Sequence, residues 1–341
     1  MVKFRVTVEF PVASGMYDIL ILLTILAGIA VGWSIGANDA ANSLGTAVGS
    51  RVVTLRQAIL LIVVFGFLGA WLHGGEVVKT IGKGIVPLDG LGDTAKAAFA
   101  LATTFAAVSW VVLATLWKMP ISTSHSIVGA AAGAGLALHL PVRWGKLLDI
   151  FICWVATPLG AAVLGYVLLR LLVWIFARFV PRRWNRPLMR VLIILSGSYV
   201  AFSWGANDVA NATGILSGAG ILDVKTSVAL GGLAIILGVI TLGAKVIETI
   251  GTQITRLLPI MAFAAQLASS INVHLYTLAG IPVSTSHSIV GAIFGCGLVR
   301  GMRLLNLKIL REIAVCWLAP PFISGAIGYV GLRLVQRFVT L

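Results

Sequence analysis

The hardest constraint on this chain is Leu257–Val299, a stretch of 43 residues without Lys, Arg, Asp or Glu. An α-helix rises about 1.5 Å per residue, so one helix of that length would overshoot a hydrocarbon core of about 30 Å twofold. The stretch must therefore turn back within a bilayer, as two passes or as one pass with a re-entrant hairpin. Composition agrees: of 341 residues, 59% are hydrophobic and only 11% charged, whereas soluble domains carry about a quarter charged residues. A net charge of +14 could point to nucleic acid. The basic residues instead lie in short clusters between apolar runs with few aromatics among them, the loop pattern of a multi-pass membrane protein, and no nucleic-acid partner is expected. Cys153, Cys296 and Cys316 sit singly in apolar surroundings, which supports neither a disulfide framework nor a zinc site.

The chain is also written twice. Gly36-Ala37-Asn38-Asp39-Ala40-Ala41-Asn42 returns as Gly205-Ala206-Asn207-Asp208-Val209-Ala210-Asn211, 169 positions later (205 − 36). Thr80-Ile81-Gly82 matches Thr249-Ile250-Gly251 at the same offset, and Ser122–Gly129 is identical to Ser284–Gly291 at an offset of 162 (284 − 122). The expected organisation is a first transmembrane repeat over 1–177, an Arg-rich linker over 178–190 and a second repeat over 191–341. Arg178, Arg182, Arg183, Arg186 and Arg190 make that linker a cytoplasmic loop by the positive-inside rule. If each half crosses an odd number of times, the halves are inverted, a recurring transporter design with its site at the midplane. Lys3 and Arg5 mimic a signal peptide, but the run from Ile19 continues into the Asn-Asp motif and reads as a retained span. The fold class expected is an all-α polytopic membrane protein. It has two inverted-topology repeats with broken helices and re-entrant hairpins, and roughly 10–12 membrane segments in the cell membrane.

Asn38, Asp39 and Asn42 fall within about one helical turn, as do Asn207, Asp208 and Asn211. Carboxylate and carboxamide oxygens are hard ligands suited to small hard cations. The plainer reading is hydrogen-bonding glue for a broken helix, but a charge is costly inside hydrocarbon, which favours an ion site. Each Ser-Thr-Ser-His motif follows a proline, a helix-start signal. The free N–H groups and positive dipole end there, with the hydroxyls of Ser122, Thr123, Ser124, Ser284, Thr285 and Ser286, make an anion site without Lys or Arg. The plainer reading is that these hydroxyls only cap or bond back to their own helices. Two aspartates and an oxyanion would repel one another, so cations or protons must enter with the anion, which points to symport.

Further residues carry weaker signals. His125 and His287 read as structural, and His73, His139 and His274 carry no assignment. Glu76 with Lys79, and Lys245 with Glu248, form i,i+3 pairs of exchanged sign, read as structural ion pairs or as a gate. Gln266 is an isolated amide and an additional candidate ligand; Thr104 is its first-half counterpart.

The combination of G-A-N-D-x-A-N and P-x-S-T-S-H, each present twice, resembles the inorganic phosphate transporter (PiT) family over nearly all of residues 17–338. The resemblance implies sodium near Asn38, Asp39, Asn42, Asn207, Asp208 and Asn211. It implies phosphate near the Ser-Thr-Ser triplets and import of inorganic phosphate with sodium as the coupling ion and no other cofactor. Some relatives use protons and some carry sulfate, so a proton-coupled phosphate or sulfate permease is the nearest alternative. The short linker implies a prokaryotic form, and partners beyond phosphate, sodium and membrane lipid extend to a homodimer. An intramembrane hydrolase would need one activated serine beside one histidine. Here every element occurs twice, which suits a pathway better than an enzyme and, since charges must neutralise one another, a carrier better than an anion channel.

Overall fold

A computed structural model describes residues 14–49, 52–117, 121–244, 246–247, 258–301 and 307–337. Among the described residues there are eleven α-helices and no strand. In the first half these are α1 (Ser14–Asp39), α2 (Ala41–Gly49), α3 (Leu55–Lys79), α4 (Asp93–Leu116), α5 (Thr123–Ala137) and α6 (Trp144–Phe179). In the second they are α7 (Arg182–Gly218), α8 (Val224–Gly238), α9 (Pro259–Leu278), α10 (Thr285–Arg300) and α11 (Leu307–Val335). π-Helical turns extend α3 over Thr80–Gly84 and α8 over Val239–Gly243. Seven segments among the described residues are long and apolar enough to cross a membrane. The uncharged stretch that no single helix could fill is α9, a six-residue return and α10, the hairpin expected from its length.

Inversion of the repeats follows from three helix directions. Gly32 lies against Gly231 and Ala234, and Gly36 against Ile235 and Val239, so α8 runs parallel to α1. Thr213 Oγ1 donates to Ser227 O at 2.6 Å while Gly231 lies against Val209, so α8 runs antiparallel to α7. The helix α7, which carries the second Asn-Asp motif, therefore runs opposite to α1, which carries the first. The halves interlock: α5 pairs with α11 and α6 with α10, while α3 pairs with α7 and α1 with α8. The motif glycines let these crossings close. A Cβ on Gly36 would lie 1.9 Å from Ile235 O, and one on Gly205 would lie 1.9 Å from Gly66 O, the equivalent carbonyl in the other half.

Two local outcomes differ between sequence and structure. The break expected at the Asn-Asp motif occurs in the first copy only, where Ser43 N closes onto Ala40 O at 3.2 Å between α1 and α2. The second copy lies inside the unbroken α7, which the bond from Thr213 to Ser227 O ties to α8. The Arg-rich stretch is not a loop: Val180 and Pro181 make the turn, Arg178 lies in the last turn of α6, and Arg182–Arg190 form the first turns of α7. Arginine is a good helix former, and only hydropathy ends at that point.

Candidate functional site

The helices α5 and α10 span 15 and 16 residues, too short to cross a bilayer, and both begin inside the protein. Ser122 and Ser284, extended in backbone, accept hydrogen bonds from His125 N and His287 N, each at 3.3 Å. These two hydroxyls are helix caps, and the remaining hydroxyls of each triplet reach further.

Asn42 Nδ2 donates to Ser286 Oγ at 2.9 Å, and Ser286 Oγ donates to Asp39 Oδ1 at 3.3 Å. In the inverted copy, Asn211 Nδ2 contacts Ser124 Oγ at 2.9 Å, Thr123 Oγ1 at 3.4 Å and Asp208 Oδ1 at 3.3 Å. Each Asn-Asp motif is thus bonded to the Ser-Thr-Ser motif of the other half. Within the second half, Thr285 Oγ1 donates to Asp208 Oδ2 at 3.2 Å. Asn207 holds the return before α10, donating to Thr277 Oγ1 and Ile281 O and accepting from Val283 N at 3.1 Å. Ser124 Oγ closes the ring by donating to Val283 O at 3.0 Å. Four motifs, 247 residues apart at the extreme, form one cluster.

Burial breaks the symmetry. Asn207, Asp208 and Asn211 are at most 1% exposed, and Asn211 Oδ1 has no hydrogen-bond partner among the described residues. Asn38, Asp39, Asn42 and Ser286 are only half-buried, so the cluster is reached from the side of the first copy. The first-turn amides of α5 and α10 (Thr123, Ser124, Thr285 and Ser286) precede any intrahelical partner. Hard oxygen ligands and the first turns of two half-helices thus meet in one hydrogen-bonded cluster. That set can hold cations and an oxyanion side by side.

The sequence model of the phosphate transporter family matches residues 35–328, most of the chain. The chain belongs to the phosphate transporter family. Relatives in this family include a protein of Pyrococcus furiosus, named by inference as a phosphate permease. It is 31% identical, over 94% of this chain and 98% of the relative. A protein so named from Haemophilus influenzae is 30% identical, over 84% of this chain and 90% of its own length. A solved structure titled "The sodium-dependent phosphate transporter" superposes with a TM-score of 0.82 at 28% identity, covering 94% of this chain and all of that one. This family member is a multi-pass membrane transporter and not an enzyme, which removes the hydrolase alternative.

Other residues singled out in the sequence have different surroundings in this phosphate transporter family fold. Gln266 is buried and bridges helices, donating to Ser43 O at 3.0 Å and accepting from Ser196 Oγ at 2.7 Å. It abuts the cluster through the residue after Asn42. Thr104 bonds back to Ala100 O. Glu76 and Lys79 form an exposed 2.6 Å ion pair, while Lys245 and Glu248 lie outside the described residues. The His125 and His287 rings meet at 4.7 Å, and Trp154 stacks on His125 at 3.7 Å while donating to Pro282 O. Cys296 packs with its thiol on Gly165 O.

Several residues escaped the sequence reading. Asn272 ties α9 to Thr157 O of α6 and to Ser288 Oγ of α10 at 3.0 and 3.1 Å. It is the second isolated amide in the uncharged run, a signal that was available. His73 and His274 join at 2.7 Å, with Tyr199 OH on His274 at 2.8 Å. Neither histidine has a repeated counterpart to announce it.

Proposed function

We propose that this chain is a secondary transporter that imports inorganic phosphate together with sodium ions by alternating access. The observation that carries this reading is the cross-bonded cluster, in which the Asn-Asp motif of each half meets the Ser-Thr-Ser motif of the other. Asp39 with Asn38 and Asn42, and Asp208 with Asn207 and Asn211, supply oxygen ligands for sodium. The amides and hydroxyls that open α5 and α10 receive phosphate. Two unit charges about 4 Å apart repel by about 4 kcal/mol even at an effective dielectric of about 20. Phosphate therefore enters this cavity only when cations offset Asp39 and Asp208, and that requirement is the coupling.

The inverted repeats supply the movement. With one Asn-Asp copy half-buried and its inverted partner enclosed, exchanging the conformations of the halves opens the path to the opposite side. The repeats divide at the α6–α7 corner, whose arginines face the cytoplasm.

Purified protein in liposomes should accumulate labelled phosphate when an inward sodium gradient is imposed. Arsenate should compete more strongly than sulfate. Equal uptake under a potassium gradient would overturn sodium coupling, and stronger competition by sulfate would overturn phosphate as the cargo.

A further inference from the structure

A pocket of about 580 Å³ lies at the α6–α7 corner, walled by Phe176 of α6, by α7 and by the first turn of α9. Arg186 and Arg190 enter it one turn apart on the same face of α7. Both are exposed, and neither has an acceptor among the described residues. No Asp or Glu occurs between Ile150 and Asn207, nor across 257–299, so neither α7 above the cluster nor α9 offers a counter-charge. The side-chain oxygen of Asn185, in the same wall, is buried without a hydrogen-bond partner among the described residues. Below the arginines the floor is apolar, formed by Phe176, Ile193 and Ile260.

Depth decides what such a pocket can hold. Arg190 precedes Asn207 by 17 residues, about 25 Å along the helix. With the cluster at the midplane, Arg190 stands on the water side of the hydrocarbon boundary at about 15 Å, and a tilt of the 37-residue α7 brings it within reach of the headgroups. Ile193 lies one turn closer to the midplane. A free anion would use the arginines but leave the apolar floor idle.

We propose that this pocket binds an anionic phospholipid such as phosphatidylglycerol. The phosphate is held between Arg186 and Arg190, and the first carbons of an acyl chain cover Ile193 and Phe176. Basic pockets between membrane helices are established hosts for anionic headgroups. The site goes beyond the transport reading; its depth rests on that reading's midplane cluster, but it lies about 25 Å from the cluster and a lipid titration needs no transport, so the two fail separately.

The test is thermal unfolding of the full-length protein in detergent during titration with phosphatidylglycerol, phosphatidylcholine or inorganic phosphate. Phosphatidylglycerol should raise the melting temperature saturably and phosphatidylcholine should not. The double variant Arg186→Gln/Arg190→Gln should raise the half-saturating lipid concentration about 30-fold, the product of two basic contacts. Arg182→Gln/Arg183→Gln, outside the pocket, should change it less than about twofold. Leu258→Trp fills the pocket with the arginines intact and should abolish saturation, which keeps the test decisive if the arginine variant fails to fold. Equal responses to both lipids, or equal shifts in both double variants, would overturn the proposal. Stabilisation by inorganic phosphate that Arg186→Gln/Arg190→Gln removes would also overturn it, in favour of a site for free phosphate.

Discussion

Asp39 and Asp208 each add a charge where hydrocarbon penalises it most, yet their neighbours differ. Asp208 accepts from Thr285 and Asn211 and is enclosed; Asp39 accepts from Ser286 and is half-exposed. Asparagine keeps the shape and an acceptor oxygen at either position. Asp39→Asn and Asp208→Asn should therefore abolish sodium-driven uptake with melting temperatures close to the parent, and full uptake in both variants would remove the cation site from the mechanism. Outside the membrane, Asp223 caps α8. The Thr226 hydroxyl first, then the Thr226 and Lys225 amides, hold its carboxyl below the usual carboxylate range. A depressed value stabilises the fold above the ordinary carboxylate range and loses that contribution as acid titrates the folded group. Melting of the parent should thus fall more steeply below about pH 4 than melting of Asp223→Asn. Among these residues, the Asn-Asp and Ser-Thr-Ser positions were legible because the sequence repeats them verbatim. The pairing of His73 with His274 had no such marker, because a contact across 201 residues leaves no local pattern.

At the scale of the element, the sequence shows where hydrocarbon is met but not where a helix begins or ends. Hydropathy marks only the part of a helix that hydrocarbon touches, so Arg182–Arg190 read as a loop although they open the 37-residue α7. The sequence also gives no reason for α1 to break at Ala40 while α7 continues past Val209. That difference depends on what each helix meets, including the π-helical turn at Gly243 that lies against Gly36 and Ala40. Helix crossings make a sharper test. Gly205→Ala forces a methyl onto Gly66 O at 1.9 Å, and overpacking of this kind costs about 1–3 kcal/mol or more. At Gly75 the nearest atom is a Val224 methyl at 3.6 Å, so the same exchange should gain about 0.5–1 kcal/mol from the lost flexibility of glycine. Thermal melts of the two variants should move in opposite directions.

For the whole molecule, the duplication was plain in the sequence, but its inversion rested on counting crossings until the helix directions fixed it. The inversion carries an accessibility prediction. In a chain whose three cysteines are replaced by alanine, Ser286→Cys should react with a membrane-impermeant thiol reagent from one side, while Ser124→Cys, at 1% exposure, should stay protected. Conditions that drive the opposite conformation should exchange the two reactivities and the reactive side. Reaction of both from the same side under all conditions would contradict alternating access. The interlocking of the halves also has a consequence in time. Ribosomes deliver this chain in order, so Asp39 and Asn42 enter the membrane long before Ser286 exists to receive them, and α5 is inserted well before its partner α11. The first repeat must wait in the bilayer with its costliest groups unanswered, which makes the nascent protein most dependent on the insertion machinery just when half of it has been made.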